Sequence, residues 1–124
     1  MFEIQRIKLF GYEPAAKVTA DALERIIIRE FGDRADEVKQ KLQHVVSETA
    51  GGKNRISAAI LKLANGDINA IDHFIEVSNK DCRDVLAAAE YPGYSKIAFN
   101  DISKSKKGKI FASDWREYLG WLNG

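Results

Sequence analysis

Apolar residues recur along most of this chain at the spacing of an α-helix. From Thr19 onward, Leu23, Ile26, Ile27 and Phe31 fall on one helical face. Thr19 is of a type that caps a helix N-terminus, and Gly32 stands where a left-handed residue is wanted at the end. Asp33 is placed to cap a second helix, with Glu37 in its first turn and Val38, Leu42, Val45 and Val46 on its apolar side. Gly51-Gly52 stops that pattern. A third helix is expected from Asn54, carrying Ile56, Ala59, Ile60 and Leu63 and closing at Asn65-Gly66. Asp67 starts a fourth, with Ile68, Ile71, Phe74 and Ile75 on one face. Asp81 starts a fifth, with Val85, Leu86 and Ala89, before Tyr91-Pro92-Gly93 forbids continuation. A final helix from Ser113 carries Trp115, Tyr118, Leu119 and Leu122.

Two joints repeat. Phe31-Gly32-Asp33 and Asn65-Gly66-Asp67 each set a terminal glycine directly before an aspartate, leaving almost no loop, so the helices on either side must turn sharply. Residues 2–10 are of another kind: Phe2, Ile4, Ile7 and Leu9 alternate with polar residues, which suits a short strand or an extended arm. The expectation is an all-α single domain of about six short helices. It divides into an arm (1–18), a five-helix core (19–91), a basic loop (92–112) and a C-terminal helix (113–123).

Composition agrees with a single core. The chain has 124 residues, 45% hydrophobic and 30% charged, and one cysteine, which excludes an internal disulfide framework. Met1 to Lys8 alternates charge and hydrophobe, unlike a secretory signal, and no apolar run approaches the ~20 residues that span a bilayer. The expected setting is the cytoplasm, with no membrane partner. A formal net charge of +1 is far from that of a dedicated nucleic-acid binder.

Charge is nevertheless uneven. Residues 67–90 carry a balance of −4, and residues 96–109 a balance of +4. Asp72, Glu76 and Asp84 could face a basic protein partner, whereas Lys104, Lys106, Lys107 and Lys109 could meet phosphates or nucleic acid. The plain alternative is a pair of solvated faces. Trp121 lies off the face shared by Trp115 and Tyr118 and is a candidate anchor for a partner, since Trp dominates interface hot spots; the alternative is that both indoles seal the core. An exposed stripe on the terminal helix would instead favour self-association into a homo-oligomer.

Catalytic and metal chemistry find little support. His73 and Glu76 make half a metal site whose other half is missing, and His44 and Cys82 lie on other elements. Cys82 at a first helical position gains from the helix dipole but has Asp81 and Asp84 beside it. Ala50-Gly51-Gly52-Lys53-Asn54 lacks the first glycine and the hydroxyl residue of a phosphate-binding loop. Ser103 to Asp114 has the length of a calcium loop, but with Ser103, Ser105 and Lys107 at its first, third and fifth positions it offers one carboxylate where several are needed. No catalytic residue, metal or cofactor is expected.

Gly66-Asp67 through Glu76, then Asp81-Cys82-Arg83-Asp84-Val85-Leu86 and Glu90-Tyr91-Pro92, resembles a segment of small bacterial all-helical proteins of unassigned function. The resemblance spans the middle third to half of the chain and rests on caps, helix faces and the Tyr-Pro stop. It implies a bacterial source and a helical fold, and no activity. The reading is a non-catalytic protein-interaction module of regulatory, adaptor or inhibitor type, with phosphate or nucleic-acid binding through residues 103–109 as the alternative.

Overall fold

A computed structural model describes residues 16–124. The strand or arm expected at residues 2–10 lies outside the described residues. Every regular element among those described is helical. In chain order these are α1 (Ala20–Phe31), a 3-10 turn (Gly32–Arg34), α2 (Ala35–Leu42), α3 (Ala50–Ala64), α4 (Ile68–Lys80), α5 (Cys82–Glu90), α6 (Pro92–Ile97) and α7 (Lys104–Asn123).

The all-α architecture is organised around α3. Ala58, Ala59, Ile60 and Leu61 are each 0% exposed, and four consecutive buried residues mean that the helix is covered on every side. The covering helices are α1, α4 and α5, while α7 closes one end against α5 and α1. Ala58, Ala59 and Ala64 contribute no bulk, so neighbouring backbones can approach closely. The amphipathic helices each bring an apolar stripe: Ile26 and Ile27 from α1, Val38 and Leu42 from α2, Ile68, Ile71 and Ile75 from α4, Val85, Leu86 and Ala89 from α5. Phe111, Trp115, Tyr118 and Leu122 of α7 complete the core. Within it an aromatic run joins α5 to α7: Tyr91 and Tyr94 pack against Phe111, and Phe111 stacks on Trp115 at 6.1 Å.

Three expected caps are present. The Thr19 hydroxyl accepts from Ala22 N, the Asp67 carboxylate from Asn69 N, and the Asp81 carboxylate from Arg83 N. Asn65 (φ 51°) and Gly66 (φ 83°) make the left-handed exit from α3.

Four boundaries differ from those expected. Asp33 does not cap α2: Gly32 leaves α1 with φ 51° and ψ −118°, and Asp33 is absorbed into the 3-10 turn. The residue before α2, Arg34, supplies no cap and pairs with Glu37 instead. The second helix stops at Leu42, short of Val45 and Val46. Its end tightens into i→i−3 bonds from Gln43, His44 and Val45, and the Asn79 side chain then accepts from Val46 N and donates to His44 O. Val45 is still buried, but Val46 is 70% exposed.

Gly51-Gly52 opens α3 rather than closing α2, because Thr49 is the cap and its hydroxyl accepts from Gly52 N at 2.9 Å. Finally, residues 92–112 are largely helical. Pro92 occupies the first position of α6, where its missing N–H costs nothing, and Ser103 caps α7 by accepting from Lys106 N. α7 therefore begins well before Ser113, and the basic segment is its first two turns.

Candidate functional site

The acidic candidates lie at exposed positions of α4 and α5, two helices that pack against each other. Most of their charge is answered locally. The Lys41 ammonium donates to Asp72 at 2.8 Å, tying α2 to α4; Glu76 pairs with Lys80 at 3.6 Å; Asp81 takes both ends of the Arg83 guanidinium. The Arg83 hydrogen bond, together with the Arg83 backbone N–H, lowers the pKa of Asp81. Asp84 makes no ion pair among the described residues.

Asp84 instead lines a shallow groove of about 280 Å³ between α5 and α6. Ala87, Tyr91 and Ala98 form its apolar part, and Phe99 stands at its edge, 83% exposed. Sequence reasoning missed this residue, because Phe99 falls in a segment read as loop, where no helical period marks a face. α6 is held in place from α7. The Asp114 carboxylate accepts from Tyr94 N at 2.7 Å, and a Cβ on Gly93 would come within 3.0 Å of that carboxylate. Burial is the main influence on Asp114 and raises its pKa, against the lowering effect of these backbone N–H groups.

The lysines are redistributed by the helix. Lys107 donates its ammonium to Ala98 O at 2.9 Å and so closes the end of α6. Lys104, Lys106 and Lys109 are exposed and form no ion pair among the described residues. The first turn of α7 contains no acidic residue, so these charges add to the positive end of the helix dipole.

Trp121 packs beside α1. It is half-buried, stacked on Tyr118 at 5.7 Å, with the Arg29 guanidinium 5.1 Å and the Lys62 ammonium 5.7 Å from its ring centroid. Arg29 and Arg25 also donate to Gly124 O and Leu122 O, so α1 covers the last carbonyls of α7. The indole lies at the end of the bundle, between α1, α3 and the last turn of α7.

Cys82 is the first residue of α5 and is partly buried against the core. His73 is exposed and meets the edge of Phe74 at 5.1 Å. Among the described residues no group of three His, Cys, Asp or Glu is placed to hold a metal ion.

One further cluster had no signal in the sequence. Glu90, 0% exposed, accepts from both Nε (2.9 Å) and Nη2 (2.7 Å) of Arg55, joining α5 to α3 across the core. Burial opposes the Arg55 charge, but the hydrogen bonds and attraction of Glu90 outweigh it and raise the Arg55 pKa. Beside them the Tyr118 hydroxyl is buried with no hydrogen-bond partner among the described residues. Burial, and then the nearby negative Glu90, push its pKa upward.

No protein-family model matches this chain, and neither a curated protein nor a solved structure does so. Among the described residues no helix is long and apolar enough to cross a membrane. The class these observations define is an all-α domain whose candidate sites are surface grooves and charged helix ends.

Proposed function

We propose that this chain is a non-catalytic protein-interaction module that binds its partner over α5 and α6. The observation that carries the reading is the groove between α5 and α6, with Ala87, Tyr91 and Ala98 as its apolar part and Asp84 at its rim. An apolar cleft bordered by a carboxylate is the anatomy of a small interface, with an apolar centre and a polar rim. Asp72 and Glu76 on the adjoining helix α4 are exposed, and the lysine that pairs with Glu76, Lys80, is exposed enough to be exchanged for a partner's. A bacterial cytoplasm is the proposed setting, supported by the resemblance of residues 66–92 to small bacterial proteins and by the single cysteine.

The test is affinity capture of the tagged protein from host lysate, with and without nuclease, alongside Phe99→Ser and Asp84→Lys. A protein recovered by the wild type after nuclease and lost with both variants supports the placement. Equal recovery by wild type and variants refutes it.

The second reading is phosphate or nucleic-acid binding by α7, favoured by the placement of Lys104, Lys106 and Lys109 at a helix N-terminus. Here recovery vanishes with nuclease and binding falls steeply with salt. Replacing the three lysines by alanine then reduces the log–log salt slope by roughly 3, about one unit for each phosphate no longer neutralised.

A further inference from the structure

We infer that α6 is a flap that opens on its own, pinned at both ends by side chains of α7, and that it is the movable wall of the groove between α5 and α6. The helix has six residues, Pro92–Ile97, well short of the ~12–15 that an isolated helix needs in water, so it keeps its shape through what it packs against. Those neighbours are α5 and α7. Of its six residues only Tyr94 is buried, edge-on to Tyr91 at 6.0 Å and to Phe111 at 5.3 Å.

Both ends of α6 are finished from across the interface with α7. In its first turn Tyr94 N donates to the Asp114 carboxylate at 2.7 Å, and at its end the Lys107 ammonium donates to Ala98 O at 2.9 Å. Tyr91, at the N-cap, is not a residue type that caps its own helix. Each pin has the sign that the helix dipole calls for, a carboxylate at the positive end and a cation at the negative end. Asp114 and Lys107 stand roughly 10 Å apart along the axis of α7, close to the roughly 9 Å length of a six-residue helix laid beside it. Lys107, Ile110 and Asp114 fall at i, i+3 and i+7, so one face of α7 meets α6. Gly93 lets the two helices close, since a Cβ there would come within 3.0 Å of Asp114 and 3.2 Å of Ile110.

The chain can hinge on either side. Tyr91 ends α5 and begins α6 with φ −146° and ψ 63°, outside the helical region. Residues 98–103 then lead into α7 through bonds from Asn100 N to Ile97 O and from Ile102 N to Asn100 O. Opening gives up the two pins and the packing of Tyr94, and it leaves in place the apolar stripes of α1, α3, α4 and α5. A short element with one buried side chain belongs to the low end of the range of local stabilities. Ser95 and Ala98 line the groove together with Asp84 and Ala87 of α5, so the position of α6 sets its width. The motion needs no partner, and it is measured on the protein alone.

The test is native-state hydrogen exchange by NMR, in water and in urea below the unfolding transition. Relative to unfolded-chain rates, the Ser95, Lys96 and Ile97 amides should exchange as a group, at least about tenfold faster than Ile60 and Leu61 of α3, and nearly independently of urea. Ile71→Val, in the core of α4, should speed Ile60 and Leu61 about 2- to 10-fold and leave the α6 amides as they are, because it weakens the bundle and not the flap. Lys107→Met and Asp114→Ala each remove one pin and should speed the α6 amides roughly 10- to 100-fold. Exchange of the α6 amides at the rate and with the urea dependence of Ile60 and Leu61 would overturn the flap, as would an α6 rate that follows Ile71→Val. So would α6 amides no slower than those of an unfolded peptide, or pin variants whose α6 exchange matches the wild type.

Discussion

Replacing Arg55 by Met tests how dry the centre of this bundle is. The substitution keeps an unbranched apolar stem but removes the cation that bonds Glu90, a residue with 0% exposure. Stranding one member of a buried pair costs about 3–5 kcal/mol, because the remaining charge keeps its desolvation penalty and loses its attraction. A domain of this size has a total stability of about 5–15 kcal/mol, so the variant sits near the edge of folding. Unfolding entropy is roughly 2 cal/mol/K per residue, so over 124 residues the melting midpoint falls by about 12–19 °C.

Two controls separate charge from packing. Lowering the pH should restore much of the loss in Arg55→Met, since a proton on the stranded carboxyl removes the buried charge. The double variant Arg55→Met/Glu90→Leu should recover to within about 1–2 kcal/mol of the wild type, because neither partner is then left unpaired. Urea unfolding followed by circular dichroism measures all three proteins. A loss under about 1 kcal/mol in Arg55→Met, or one indifferent to pH, would show that water reaches Glu90 and that the pair is not buried in solution.

Other positions give smaller effects of definite sign. Gly120→Ala should stabilise by about 0.5–1 kcal/mol in thermal unfolding, because the glycine lies within α7 and an added Cβ meets nothing within 4 Å. Gly93→Ala should destabilise by roughly 1–2 kcal/mol and speed hydrogen exchange at Tyr94 N, since the new methyl crowds the Asp114 carboxylate and Ile110. Asn79→Ala frees Val46 N and His44 O from their side-chain partner and should cost about 1–2 kcal/mol, with faster exchange at Val46 N. NMR titration of Asp114 should give a midpoint above the ordinary carboxylate value of about 3.9. Because that pKa is raised in the fold, Asp114 adds stability below the ordinary value and loses it as pH climbs through the raised one.

The helical fold was legible because its period is written in side chains that must be buried. Ile68, Ile71 and Ile75 recur at helical spacing, and the structure buries all three. Errors gathered where backbone groups find partners far away in sequence. Nothing near Val46 announces that Asn79, thirty-three residues on, will take its N–H and end the helical run early. Composition misled at residues 103–109: Ser, Lys and Gly are loop-forming in aggregate, yet Ser103 is a cap and the lysines tolerate a helix well. The cap was visible in principle, since a serine shortly before an Ile110-Phe111 pair is an N-terminal signal. Glu90 and Arg55 were invisible for a different reason, as pairing across the core depends on how α3 and α5 meet and leaves no trace in local spacing.

The same distinction bears on which charges are available for function. Asp72, Glu76 and Asp84 stood out in the sequence as acidic candidates, yet the first two are answered by Lys41 and Lys80, and Asp84 alone makes no ion pair among the described residues. Exposed pairs of this kind contribute about 0–1 kcal/mol each, so a partner bearing lysines or arginines can exchange with them at little cost, but they give it little long-range attraction. Lys104, Lys106 and Lys109 have no such answer among the described residues, and they stand against the dipole of their own helix. That placement costs the fold a few tenths of a kcal/mol per lysine, and an anion at the same place reverses the sign. If protein binding by α5 and α6 is the whole function, Lys104→Glu should stabilise the chain slightly and leave partner capture intact. If capture weakens with that substitution and not with Asp84→Lys, the binding face is the start of α7, and the groove beside Phe99 is not the site.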